Sequence, residues 1–132
     1  MPPSTADIGG RPAVVGKAID ELPQLWDGFA KLVRDGLGIT AFGVQIMDLP
    51  PGHTTEAHDE ANSGQQELYV ALRGSGAVVA AGTAFPLDGD HLVRVDAGVD
   101  RVLTSHADGL RVLCVGAVPG RPYSAPSWTT TR

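Results

Sequence analysis

The chain holds four histidines and four glutamates, and five of these eight, His53, Glu56, His58, Glu60 and Glu67, fall between Gly52 and Glu67. That clustering is the one non-random feature of the polar composition. If His58 and Glu60 lie on a strand, their separation of two residues puts both side chains on one face, with Asp59 on the other. Glu67 opens the next strand and can return antiparallel beside them. One imidazole and two carboxylates converging in this way suit a divalent first-row metal such as Mn, Fe, Ni or Zn. The alternative is a polar loop whose charged groups are merely solvated.

The remaining candidates carry less. His53 adjoins a turn and reads as a solvated loop histidine within reach of a rim. His91 alternates with Val93 and Val95, so it is expected to point inward, either packed and hydrogen-bonded or as a ligand. His106 begins a turn and is expected to be exposed. The Tyr69 phenol could act as an acid or hydrogen-bond a substrate, or simply pack. No serine sits in a Gly-x-Ser-x-Gly elbow. The Gly-rich piece after Arg73 lacks the lysine and following helix of a phosphate loop.

The elements that must position these residues read as strands. Thr40 to Leu49 alternates, with Phe42, Val44 and Ile46 on one face, and Pro50, Pro51 and Gly52 end it. Glu67 to Arg73 forms a strand closed by Gly74-Ser75-Gly76. Ala77 to Ala81 and Thr83 to Leu87 flank Gly82 as a hairpin, and Asp88-Gly89-Asp90 turns into a strand from His91 to Val95. Val102-Leu103 and Leu110 to Val115 supply two more, divided by a turn at His106 to Gly109. Ala18 to Leu37 has near-helical apolar spacing but is punctuated by Pro23, Asp27-Gly28 and Asp35-Gly36, which favours short strands. Strands at such intervals with Gly/Asp turns predict a sandwich or barrel. Residues 1–15 read as a loosely ordered arm and residues 16–132 as one barrel domain. In the tail from Pro119, Tyr123 and Trp128 could cover an edge or a barrel mouth, or lie on the surface.

Composition excludes several classes. With 132 residues the chain has one domain's length. Ten Lys+Arg against fifteen Asp+Glu give a net charge of −5, and no window is basic, so nucleic acid is not an expected partner. No apolar run approaches the ~20 residues of a membrane span, and no leader is evident, so neither membrane insertion nor secretion is expected. The single cysteine, Cys114, lies in an apolar run and reads as a small core hydrophobe in a reducing cytoplasm.

These residues carry a family resemblance. Gly52 to Gly74 resembles the first motif of the cupin superfamily: Gly, five residues, His-x-His, a Glu three or four residues later, then six residues and a Gly. Here Gly52 is followed by five residues and His58, Glu60 stands where the second His would be, Glu67 follows after six residues, and six more lead to Gly74. The flanking LPPG and ELYVALRGSG are similar to cupins too. Gly89 to Ser105 resembles the second motif, with Gly98 at its internal Gly. With one inserted residue, Arg101 falls where the metal-binding His belongs and Ser105 at the usual Asn; without it, Asp100 takes the His position. The resemblance spans roughly Thr40 to Gly116. The strand start Gly64-Gln65-Gln66-Glu67 is similar to that of small single-domain cupins of actinobacterial type.

The resemblance implies an all-β jelly-roll barrel that pairs as a homodimer and holds a small-molecule ligand between its sheets. A standard cupin site has three His and one Glu; here His58 and Glu67 remain and Glu60 offers oxygen. Arg101 is a permanent cation with no lone pair. Pointing inward, it would pair with a carboxylate, bidentate in the best case, and fill the ion's place. Two functions follow. One is a small-molecule-binding protein whose polar pocket is lined by His58, Glu60, Glu67, Arg101, Tyr69 and His91, with metal binding degenerate or weak. The other is a divalent-metal-dependent enzyme of dioxygenase or isomerase/cyclase type, with His58, Glu60 and Glu67 as ligands and a small organic substrate; a metal-free isomerase or cyclase is its variant.

Overall fold

The computed structural model describes residues 7–131. In chain order the elements are β1 (Asp7–Ile8), β2 (Arg11–Pro12), a 3-10 turn (Ile19–Glu21), β3 (Gln24–Leu25), β4 (Ala30–Lys31), α1 (Val33–Leu37), β5 (Gly43–Leu49), β6 (Gln66–Ala80), β7 (Thr83–Leu87), β8 (Leu92–Val95), β9 (Arg101–Ala117) and a second 3-10 turn (Ser127–Thr129). The strand pairings are antiparallel. The main sheet runs β3-β4-β5-β9-β6-β7, and β8 also pairs with β6. No helix among the described residues is long and apolar enough to cross a membrane.

Two long strands make the barrel. β6 and β9 pair along almost their whole length; Glu67 to Val70 stands between β9 and β8, and Gly76 to Ala80 between β9 and β7. The other edge of β9 is covered by β5 from Leu110 to Gly116, and by bridges from Thr54 and His58 at Thr104 and Arg101. The ladder thus folds into two facing sheets. Sequence reading expects turns at Gly74–Gly76 and His106–Gly109, where the structure has continuous strand. The glycines bend these strands instead of ending them. The register slips between Ala71 and Arg73 and again between Gly74 and Gly76, which is how bulges absorb curvature. A Cβ on Gly74 would collide with the Gly109 carbonyl, and one on Gly76 with that of Thr104.

The inner faces carry the main core, including Leu49, Tyr69, Val78, Leu87, Leu103 and Val112. Each such side chain contributes about 1.5–3 kcal/mol of burial. The predicted Val44/Ile46 face packs outward, with Leu22 and Val33, into a second cluster beneath the 19–39 segment. Phe42 precedes the strand and is exposed. In that segment the Asp27-Gly28 turn does join two short strands, but Asp35-Gly36 lies inside α1. There a Cβ on Gly36 would sit 2.6 Å from Leu22 Cδ2, so glycine allows the helix to lie against Leu22. Gly38, at φ 70°, ends the helix, and Ile39 N–H returns to the Arg34 carbonyl at 2.9 Å. Asp48 pins β4, β5 and β9 together: it accepts from Lys31 at 2.6 Å and from Arg111 at 2.7 and 3.0 Å.

Of the expected N-terminal arm, residues 1–6 lie outside the described residues. Asp7–Ile8 and Arg11–Pro12 form a small hairpin, and Arg11 Nη2 bonds the Gly38 carbonyl at 2.8 Å.

Candidate functional site

His58 reaches the barrel as a one-residue addition to the edge of β9. Its N–H donates to the Arg101 carbonyl at 3.1 Å, and the Arg101 N–H returns to the His58 carbonyl at 2.9 Å. Glu60 N–H then donates to the Ala97 carbonyl at 2.7 Å. A tight turn follows, in which Asp59 Oδ1 accepts from Ala61 N–H at 2.9 Å and Gly64 adopts φ 72°. The chain re-enters as β6, where Glu67 pairs with Val95 and Gly116. His58 Nε2 consequently lies 3.8 Å from Glu60 Oε1 and 3.9 Å from Glu67 Oε1. His58 sits in an isolated bridge and not in a regular strand, yet the three side chains converge.

Arg101 completes the group from below. Its side chain is fully buried, and Nη1 donates to Glu67 Oε1 at 2.6 Å. Nε donates to the Val99 carbonyl at 2.9 Å and Nη2 to that of Asp96 at 2.8 Å. The pair is therefore one-pronged, with the rest of the guanidinium holding the loop before β9. Tyr69 OH donates to the same Glu67 oxygen at 2.7 Å. Asp100 is exposed, so Arg101 is the inward residue of the two.

These contacts set the proton affinities. The facing Glu67 carboxylate raises the His58 pKa against the opposing effect of burial. Burial, and then the charge of Glu67, raise Glu60. Burial pushes Glu67 up, but His58, the Tyr69 hydroxyl and the Arg101 charge outweigh it and hold its carboxyl below the usual range. Burial, reinforced by Glu67, raises Tyr69. By linkage, the His58 contribution to stability is present below the unfolded imidazole pKa and is lost as pH rises through the folded value. That of Glu67 is present above the unfolded carboxyl pKa and is lost as pH falls through its depressed folded value. NMR titration of the His58 ring should give a midpoint above the usual imidazole value of about 6.5, and Glu67→Gln should lower it. An unchanged midpoint in Glu67→Gln would show that Glu67 is not its partner.

The atoms that His58, Glu60 and Glu67 offer lie within 4.8 Å of one another, a grouping that could meet a metal ion. The donor chemistry nevertheless does not fit a resident divalent ion. Glu67 Oε1, the oxygen nearest His58, already accepts from Arg101 and Tyr69. A guanidinium 2.6 Å from that oxygen sets a fixed positive charge on the carboxylate an ion would need.

Above the cluster opens a cavity of about 380 Å³, a size suited to a small molecule. Gln45, Met47 and Cys114 form its wall, and Trp26, Tyr123 and Trp128 its mouth. The Trp26 and Trp128 rings lie 5.7 Å apart at 32°. The tail holding Trp128 is tied down by Arg34, whose Nη2 donates to the Thr129 carbonyl at 3.0 Å and to Thr130 Oγ1 at 2.7 Å. Tyr123 packs over Gly43, where a Cβ would lie 2.7 Å from its hydroxyl.

The structure thus brings together His58, Glu60, Glu67, Tyr69 and Arg101, and does not bring His91. That residue lies before β8 begins and hydrogen-bonds Asp88 Oδ1 at 2.8 Å, with its side chain 54% exposed. The alternation that carries Val93 and Val95 inward stops short of it, because position 91 belongs to the β7–β8 turn. His53 packs near Phe29, at 5.6 Å between rings. His106 is exposed beside Ser75. Sequence reasoning missed Trp26 and Gln45 in the pocket. Trp26 is held there by a left-handed turn, φ 53°, and its one signal was an aromatic residue beside Asp27-Gly28. Gln45 was legible only as the polar member of an alternating strand.

The fold and site together define a small jelly-roll barrel with an acidic, aromatic-rimmed pocket. No family model matches the sequence, and no curated protein matches it. Solved structures do. A cupin protein from Bacteroides fragilis is similar at 19% identity and TM-score 0.65, over 85% of this chain and 90% of that one. The cupin domain of Cnp3 from Schizosaccharomyces pombe is similar at 16% identity and TM-score 0.62, over 79% and 74%. A predicted oxalate decarboxylase from Thermotoga maritima is similar at 24% identity and TM-score 0.53, over 59% and 68%. The chain is a small cupin-fold domain.

Proposed function

We propose that this protein binds a small molecule in the barrel pocket and that its inherited metal site is degenerate. The observation that carries this reading is the buried Arg101 guanidinium on Glu67, which supplies from within the chain the positive charge a metal would bring. Two carboxylates without such compensation would be very costly to bury. On this reading the protein works in the cytoplasm as a homodimer. The similar fold of a predicted oxalate decarboxylase keeps a divalent-metal enzyme, of dioxygenase or isomerase/cyclase type, as the competing outcome.

Metal analysis of untagged protein after incubation with Mn, Fe, Ni and Zn separates the two. The expected result is well below one equivalent of any metal, with a gain in Arg101→His. Stoichiometric metal in the wild type, lost in His58→Ala and Glu67→Ala, would overturn the degenerate-site reading in favour of the metalloenzyme.

A further inference from the structure

Resting on the small-molecule reading above, we infer that the pocket selects a small organic cation, its ammonium group against Glu60 and its hydrocarbon body between Trp26, Tyr123 and Trp128. An anion needs a free donor or an open positive charge; Arg101, beneath the floor, provides neither, and the His58 imidazole, which lines the pocket, faces the carboxylates of Glu60 and Glu67 at 3.8 and 3.9 Å. Arg101 has no exposed side-chain surface, and its Nε, Nη1 and Nη2 are taken by Val99, Glu67 and Asp96. The Tyr69 hydroxyl donates to Glu67.

Acceptors are left unspent in the pocket lining; Arg34 Nε, a buried donor without a partner among the described residues, belongs to a residue outside that lining. Glu67 is matched by Arg101, which leaves Glu60 as the carboxylate of the His58–Glu60–Glu67 cluster that meets no arginine or lysine in an ion pair among the described residues. Glu60 Oε2 accepts from the Ser63 hydroxyl at 3.0 Å, whereas Oε1 faces His58 at 3.8 Å. Its side chain is 26% exposed, open enough to be reached and sheltered enough to be poorly screened. Gln45, which also lines the pocket, has a buried Oε1 with no hydrogen-bond partner among the described residues. A buried acceptor left unpaired is unfavourable, and the ammonium N–H of a ligand held against Gln45 is one donor that would relieve it.

The mouth agrees with the floor. Trp26 and Trp128 keep 62% and 51% of their surface exposed although they flank the same opening. Indole faces attract cations through the ring quadrupole and offer nothing comparable to an anion. The net charge of −5 favours approach of a cation over long range.

The test uses three probes of one shape and different charge: benzylamine, benzyl alcohol and benzoate. Each is titrated into the full-length protein at pH 7.5, with binding read by calorimetry and by the fluorescence of Trp26 and Trp128, the two tryptophans of the chain. Benzylamine should bind at least tenfold more tightly than benzoate, with benzyl alcohol between them. Glu60→Gln, which keeps the side-chain shape, should remove most of the preference for benzylamine over benzyl alcohol. Trp26→Ala should weaken both probes in calorimetry. Benzoate or benzyl alcohol binding as well as benzylamine would overturn the cation assignment and leave the small-molecule reading standing. A preference for benzylamine unchanged in Glu60→Gln would also overturn it. If none of the three binds and NMR shows no shift at any pocket residue, the small-molecule reading falls as well.

Discussion

Replacing Arg101 with methionine should destabilise the protein by about 3–5 kcal/mol, the usual cost of stranding one member of a buried ion pair. The side chain has no solvent exposure, so water cannot take over its role. Its loss leaves Glu67 Oε1 with the Tyr69 hydroxyl and a half-exposed imidazole, takes the side-chain donor from the Val99 carbonyl, and leaves the Asp96 carbonyl with the Val99 N–H at 3.3 Å. Methionine fills much of the volume, so the loss reports charge more than a cavity. Removing both charges, in Arg101→Met with Glu67→Leu, should recover most of the stability, because hydrophobic replacement of a whole buried pair is often neutral. Urea denaturation of the two variants checks this. A single variant within about 1 kcal/mol of wild type would mean that the guanidinium does not hold the site together.

Gly74→Ala should cost about 2–5 kcal/mol and leave the pocket chemistry unchanged when folded. Two independent penalties add. Gly74 sits at φ 75°, where an L side chain costs about 1–2 kcal/mol. The new Cβ also runs into the Gly109 carbonyl, backbone that cannot rotate aside as a side chain can; such overpacking typically costs about 1–3 kcal/mol. Gly82→Ala is the control. It has the same φ of 75° but no atom within 4 Å of the added Cβ, so it should lose only the backbone penalty. Equal midpoints for the two variants in thermal or urea unfolding would refute the crossing-strand explanation.

The same glycines explain what was legible in the sequence. The spacing of His58, Glu60 and Glu67 left convergence and a solvated loop both open; convergence was legible as one of the two because two residues along an extended chain and an antiparallel return are local geometry. The inward turn of Arg101 was legible only through motif alignment, since an arginine after Val99-Asp100 carries no local sign of burial. Gly74, Gly76 and Gly109 read as strand ends, because a glycine that stops a strand and one that bends it look alike until the partner backbone is in place. His91 shared the parity of Val93 and Val95, but parity does not reveal where a ladder begins. Trp26 and Trp128 stand 102 positions apart in the sequence, and a rim assembled by such distant contacts leaves no periodic trace.

The double pairing of β9 has a kinetic consequence. From Leu110 to Gly116 this strand is bonded to β5 on one edge and to β6 on the other, across separations of up to 73 residues, as in Gly43 with Gly116. No contiguous stretch can form the barrel alone; most of the chain must be gathered before the ladder repays its loop entropy. Topologies of this kind refold in milliseconds to seconds and not in microseconds, and until β9 docks, β5 and β6 each present an open edge to whatever other chain is near.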